Sequence, residues 1–370
     1  MGIKRPLNSI YIHIPFCKSK CHYCDFVSFA GKICSIDAYF TALEKEISFY
    51  LKDYKDKKFQ TVYIGGGTPS LIDVNYYEKL LSNISFCENP EITIEMNPGG
   101  VSFEYLENLK KIGFNRLSIG VQSFDDDILK IINRPHNSYD AIKVVKDAQN
   151  AGFKNINIDL IYGLPQQTFL GWQKTLHQAI KLEINHISAY GLKIEEGTQF
   201  HSNPPQNLPD EDETVKMYLK TVELLENNGF NHYEISNFSQ KSFESQHNTA
   251  YWNNEEYFGF GLAAHGYINS VRYSNKYNLD DYICDPLEKA KQNKLSAKEI
   301  VEEAIFLGLR LRKGINIVEF KQNYSFDLYE NYKKIINDSI SNGMMKFSGN
   351  RLKFTKQGML LSNNILANFI

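Results

Sequence analysis

Three cysteines within eight residues constrain this chain more than any other feature. Cys17, Cys21 and Cys24 stand in a C-x3-C-x2-C pattern directly after the alternating run Ser9-Ile10-Tyr11-Ile12-His13-Ile14. Pro15 has no backbone donor and cannot continue a sheet ladder, so the strand is expected to end near Ile14 and feed a cysteine loop. Thiolates hold iron–sulfur clusters, and a four-iron cube needs one ligand per iron for closure. Three local cysteines without an obvious fourth leave one iron open to an outside chelator. A zinc site completed by His13 or His22 is the main rival, although zinc sites favour paired C-x2-C hooks. A disulfide is disfavoured, since three cysteines cannot all pair and no secretory segment is visible. Cys34, Cys87 and Cys284 are scattered and read as reduced, part-buried thiols.

The rest of the chain shows what carries this loop. Short apolar runs recur at Ile10–Ile14, Val62–Ile64, Ile92–Met96, Leu117–Val121, Ile156–Ile161 and Ile187–Tyr190. Amphipathic segments lie between them at Ile36–Leu51, Tyr76–Leu81, Phe103–Lys111, Asp126–Ile132, Tyr139–Ala151 and Thr168–Leu182. Buried strands alternating with helices indicate parallel βα units. The first unit lacks the dinucleotide-binding glycine fingerprint. An α/β fold with a partial TIM-like (β/α)6 barrel is therefore preferred over a doubly wound sheet. Chemistry in such a barrel sits just past the C-terminal ends of the strands. Unusual residues do cluster there: the cysteine loop, Gly65-Gly66-Gly67-Thr68-Pro69, Glu95 in Ile94-Glu95-Met96-Asn97-Pro98, Gln122 in Gly120-Val121-Gln122-Ser123, and Asp159 before Tyr162-Gly163. The glycine turn is expected to let a ligand approach closely, with amides free for its carboxylate. Polar groups inside apolar strands are expensive to bury unless paired, and several at one depth suggest a shared ligand.

The cysteine loop resembles that of the radical S-adenosylmethionine (SAM) superfamily. The string Tyr11-Ile-His-Ile-Pro-Phe-Cys17, with Gly65–Pro69 in a GGGTP form, is similar to the branch of oxygen-independent coproporphyrinogen III oxidase and its haem-chaperone relatives. The resemblance covers most of residues 8–200 and implies a [4Fe-4S] cluster on Cys17, Cys21 and Cys24, with SAM on the open iron. By the same resemblance Tyr11, Gly66 and Glu95 match positions for a first SAM. Tyr23, Gly67, Thr68, Gln122, Arg134 and Asp159 match positions for a second. Two departures separate the chain from the oxidase, whose signature runs on to C-x3-C-x2-C-x-C behind a long N-terminal extension. Here Phe26 takes the fourth cysteine's place, and sixteen residues precede Cys17. A third feature, His247-Asn248-Thr249-Ala250-Tyr251-Trp252, is similar to the HN-x2-YW motif of the HemW-type haem chaperones.

That resemblance implies haem as cargo, with His247 the preferred haem-site residue and His265 the second choice. It also implies transfer to apo-haem proteins, respiratory enzymes among them, and a role that leans away from enzymatic. SAM cleavage stays open; coproporphyrinogen oxidation is the alternative. Three regions are expected: a radical SAM barrel over 1–240, a connecting region with the motif over 241–295, and a small α+β domain over 296–370. A strand is expected over Asn231–Phe238, a helix over Ala297–Arg312, and a hairpin turning at Gly349-Asn350. Net charge is −2 with 23% charged residues, which gives no electrostatic case for nucleic acid. The 23 Tyr and 24 Phe read as core filling before any flat-ligand cavity. With no 18-residue apolar run and no signal-type start, a cytoplasmic protein is expected. Peripheral membrane contact and a homodimer are left open.

Overall fold

The structure, a computed structural model, describes residues 5–369. The segment read as lacking a signal-type start falls partly on residues 1–4, which lie outside the described residues. Six parallel strands run in chain order: β1 Leu7–Ile14, β2 Phe59–Gly66, β3 Phe86–Met96, β4 Arg116–Gln122, β5 Asn155–Tyr162 and β6 His186–Gly191. This is the expected parallel α/β architecture. Helices α1 Ile36–Leu51, α2 Val74–Leu81, α3 Phe103–Lys111, α4 Asp126–Ile131, α5 Ser138–Asn150 and α6 Phe169–Ile180 alternate with them. Each helix from α2 onward starts on a side-chain cap, from Asp73, Ser102, Asp125, Asn137 and Thr168 in turn. Those caps satisfy amide donors that the first helical turn leaves open.

Strand register explains why the runs are apolar yet carry polar residues. Side chains alternate across a sheet, so one set faces the helices and the other faces the lumen. Ile12, Ile64, Ile94, Leu117 and Ile156 pair in a continuous row and are buried in the main core. One residue earlier, Tyr11, Tyr63, Thr93, Arg116 and Asn155 form the next row. One residue later, Glu95, Ser118, Asn157 and His186 form another. The lumen is therefore lined with polar and aromatic groups, while the outer face supplies the apolar core.

The sheet extends beyond these six strands. Where a single strand is expected over Asn231–Phe238, two short strands β7 Asn231–His232 and β8 Asn237–Ser239 form a hairpin instead, antiparallel to β6. Glu234 interrupts the run by turning out of the ladder to bridge Leu311. At the other edge, β9 Glu256–Phe260 pairs parallel to β1, and β10 His265–Ile268, β11 Val271–Asn275 and β12 Lys289–Lys294 follow antiparallel. Much of the region expected as a connector thus belongs to the same twelve-stranded sheet. Helix α7 Glu211–Asn227 packs against α6, and α8 Gln246–Trp252 carries the HN-x2-YW motif.

The last seventy-odd residues have their own core, around Ile305, Leu309, Ile336, Leu352 and Phe354. It lies between helices α9 Ala297–Arg310 and α10 Leu328–Ser341 and a three-stranded sheet. The hairpin expected at Gly349-Asn350 is formed by β14 Met345–Ser348 and β15 Arg351–Phe354, with β13 Ile315–Asn316 alongside.

Candidate functional site

A cavity of about 340 Å³ opens at the C-terminal ends of the parallel strands. It is lined by Cys17, Cys21, Cys24, Tyr23, Gly66, Gly67, Thr68, Glu95, Gln122, Arg134 and Asp159. Every site residue singled out in the sequence reaches this wall except Tyr11, His247 and His265. Its volume lies near the low end for small-molecule sites, about 300–1,000 Å³.

The cysteine loop is held from two sides. His22 donates its amide to Ile132 O at 3.2 Å, and Asn133 Nδ2 donates to Lys20 O at 2.8 Å, so the loop rests on the end of α4. On the other side Thr68 Oγ1 reaches Cys17 Sγ at 3.5 Å. Burial pushes the Cys24 thiol up to about 11, with the neighbouring Cys21 and Cys17 adding to it. All six cysteines are free thiols. His13 has both ring nitrogens engaged, Nδ1 with Tyr11 Oη at 2.9 Å and Nε2 with Val27 O at 2.8 Å, so it cannot complete a zinc site. Sulfurs around one zinc sit about 2.3 Å from a single point. Among the described residues no three Cys, His, Asp or Glu side chains converge in that way. A cluster spreads its ligands over several corners, and a soft thiolate set around an open cavity fits it.

The glycine turn corrects one expectation. Its amides are not free for a ligand carboxylate: Gly66 N–H donates to Glu95 Oε2 at 3.0 Å, Gly67 N–H to Ile14 O and Thr68 N–H to Phe16 O, both at 2.8 Å. The glycines are needed because the chain is crowded. A Cβ on Gly66, which has φ of +114°, would lie 2.5 Å from the His13 ring, and one on Gly67 would lie 2.7 Å from Phe16 O. The turn therefore clasps the cysteine loop and Glu95 together.

Glu95 is the acid of the cavity. Besides Gly66, it accepts a hydrogen bond from Tyr63 Oη at 2.8 Å on Oε1, which leaves lone pairs of the carboxylate for a ligand. Burial raises it to about 7, Asp159 adds to this, and the Tyr63 and Gly66 donors oppose it. Asp159 is also raised, by burial, and accepts from Ser118 Oγ at 3.1 Å and Asn157 Nδ2 at 2.9 Å. Arg134 supplies the counter-charge, with Nη1 3.3 Å from Cys21 Sγ and Nη2 2.6 Å from Asn97 Oδ1. Its Nε is buried without a partner. Gln122 is aimed into the cavity by a bulge between Gly120 and Gln122, at a left-handed φ of 67°. Burial pushes the Tyr23 phenol far up, so it stays a neutral hydrogen-bonding group. The site can hold a zwitterionic or cationic ligand between acid and thiolate walls.

Tyr11 sits behind this wall, on His13 and beside Tyr63 with ring centroids 6.3 Å apart. His247 is displaced further. It is 1% exposed, with Nδ1 2.7 Å from Thr61 Oγ1 and Nε2 2.8 Å from Tyr251 Oη. An iron ligand needs a ring nitrogen without another partner, and here neither is free. Trp252 Nε1 is buried without a partner. His265 differs: it is exposed, at the start of β10, which is separated from β1 by β9, and its one side-chain hydrogen bond joins Nε2 to Tyr277 Oη at 3.3 Å.

Asn97, Ser118, Tyr63, Lys193 and Glu195 also line the cavity and were not singled out as site residues. Lys193 and Glu195 follow β6, so the rule that located the other loops points to them as well. Tyr63 stands two residues before the glycine turn, and alternation along β2 puts both on the lumen side.

Residues 11–179 match the Radical SAM superfamily and residues 295–361 match the HemN C-terminal domain. The protein named heme chaperone HemW from Lactococcus lactis is 37% identical to this chain over 98% of it and 97% of the relative. Its namesakes from Bacillus subtilis and Escherichia coli are 36% and 32% identical, each spanning at least 98% of either chain. The solved structure of coproporphyrinogen III oxidase, HemN, from Escherichia coli superposes with a TM-score of 0.87 at 24% identity. The match covers 100% of this chain and 91% of that one, a likeness of fold.

Proposed function

The chain belongs to the HemW family within the radical SAM superfamily, and from that premise we propose that it is a haem chaperone. In this reading it binds haem as cargo, holds a [4Fe-4S] cluster and SAM, and passes haem to apo-proteins such as respiratory enzymes. The observation that carries it is the end-to-end likeness to relatives named heme chaperones. Cys17, Cys21 and Cys24 would hold the cluster, whose open iron would chelate SAM's amino and carboxylate groups. Glu95 would accept from ribose hydroxyls and offset the sulfonium charge. Arg134, Asn97 and Gln122 would orient the ligand, and Tyr23 would close the loop over it. Gly66, Gly67 and Thr68 would act by bracing Cys17 and Glu95.

For the haem iron, the free Nδ1 of His265 and the adjoining Tyr277 offer a ligand and an aromatic face that His247 does not. Partial burial of its ring, with Arg272 and Lys291, lowers the His265 pKa and favours the neutral imidazole, the form that binds metal. The rival reading is oxygen-independent coproporphyrinogen oxidation on the same fold. Against it stands Phe26, 57% exposed where the oxidase has a cysteine. No helix among the described residues is long and apolar enough to cross a membrane.

The test is a haem titration of anaerobically reconstituted protein beside a coproporphyrinogen III decarboxylation assay with reduced cluster and SAM. Haem binding without decarboxylation is expected. Multiple turnovers of the porphyrinogen would replace the chaperone reading by the enzymatic one.

A further inference from the structure

The HN-x2-YW helix has no ligating nitrogen to offer, yet the fold spends buried polar groups on holding it. Glu91, 4% exposed, accepts from the amides of Gln246 and His247, both at 3.0 Å, and ties α8 to the middle of β3. The His247 ring is pinned at both nitrogens, by Thr61 of β2 and Tyr251 of its own helix. A floor that merely sealed the barrel would need apolar filling alone. Burying a carboxylate and a doubly bonded imidazole costs desolvation, and what that arrangement secures is orientation.

The oriented face meets one residue of the candidate site. The His247 ring lies 5.2 Å from Tyr63, centroid to centroid, at an interplanar angle of 29°. Thr61 and Tyr63 are consecutive lumen-facing residues of β2, so one imidazole bonds the first and stacks on the second. Tyr63 in turn donates to Glu95 Oε1. The strands that anchor α8 at one end, β2 and β3, are the same two that carry Tyr63 and Glu95 toward the cavity.

We propose that His247 is a positioning residue for Glu95: by stacking on Tyr63 it keeps the Tyr63 hydroxyl on the carboxylate, and so sets the affinity of the cavity for a cationic nucleoside. The inference rests on the SAM reading of the cavity. It assigns the motif in this chain to the barrel floor and makes the stacked ring, not a metal-binding nitrogen, the feature that matters.

The experiment is calorimetric SAM titration of the full-length protein, anaerobically reconstituted, with the thermal midpoint measured in parallel. Tyr63→Phe should weaken SAM about tenfold, the ratio expected for losing one hydrogen bond to a charged group. His247→Ala should weaken it by about three- to tenfold, and the double variant no further than Tyr63→Phe alone, because both act through one contact. His247→Phe restores a ring without its hydrogen bonds. It should return SAM affinity to within about twofold of wild type while the midpoint falls, since the Thr61 and Tyr251 hydroxyls lose their partner. A His247→Ala protein with a lower midpoint but unchanged SAM affinity overturns the proposal, as do fully additive losses. If His247→Ala does not fold, Tyr63→Phe and His247→Phe decide it, the first being weakened and the second not. A wild-type protein that takes no SAM defeats the cavity reading itself. Weakening by Glu95→Ala with none by His247→Ala defeats only this inference.

Discussion

Glu95 gives the most direct handle on the cavity. Held near 7 by burial, it is about half protonated at neutral pH when no ligand is bound. A ligand whose sulfonium and ribose hydroxyls favour the carboxylate should release that proton on binding. SAM affinity should therefore rise with pH through about 7 and level off above it. Below 7 the loss approaches tenfold per pH unit, because one pKa unit is about 1.4 kcal/mol. Glu95→Gln removes the charge while keeping the shape and an acceptor oxygen for Tyr63. The expected cost above pH 8 is about 1.5–3 kcal/mol, the range for a hydrogen bond to an ionised group. The variant's affinity should be nearly flat with pH. Calorimetry from pH 5.5 to 8.5, in buffers of different ionisation enthalpy, reads both affinity and proton release. A flat wild-type profile, or a Gln variant that binds equally well at pH 8.5, would refute the assignment of Glu95 to the ligand.

Serine at Cys17, Cys21 or Cys24 should abolish the anaerobic cluster absorbance, whereas serine at Cys34, Cys87 or Cys284 should leave it intact; stoichiometric zinc without iron in protein handled anaerobically would sink the cluster reading. His265→Ala should shift the Soret band or weaken haem binding while sparing the cluster; the same loss from His247→Ala, with His265→Ala silent, would show that α8 rearranges on loading. Glu234, fully buried with Oε2 unpartnered, is raised to about 7 by burial, so its folded pKa exceeds its unfolded value of about 4.5. The stability it contributes is complete below 4.5 and declines as pH rises to 7. Over those roughly 2.5 units that amounts to about 3 kcal/mol. Glu234→Gln should flatten this part of the pH–stability curve in chemical denaturation, and an unchanged slope would show that the carboxyl is solvated in solution.

Local pattern carried much of the architecture. The six strands and their helices follow from periodicity, because alternation of lumen and core faces is written in consecutive residues. The cysteine spacing and the polar residues just past each strand marked most of the cavity wall for the same reason. Three matters needed the folded chain. The glycine turn reads locally as a ligand cradle, but only the close approach of His13 and Phe16 shows that its amides are consumed in bracing. The stretch over 241–295 reads as a connector, since nothing nearby announces that Glu256–Phe260 will pair with the first strand of the chain. His247 reads as a haem-site residue through the resemblance of HN-x2-YW to the haem-chaperone motif, which says nothing of what its ring nitrogens meet. Whether an imidazole is free depends on what lies against its nitrogens, and one of its partners, Thr61, is 186 residues away. Spacing along a chain specifies faces and periods, while the occupancy of a donor or acceptor is settled by contacts between distant segments.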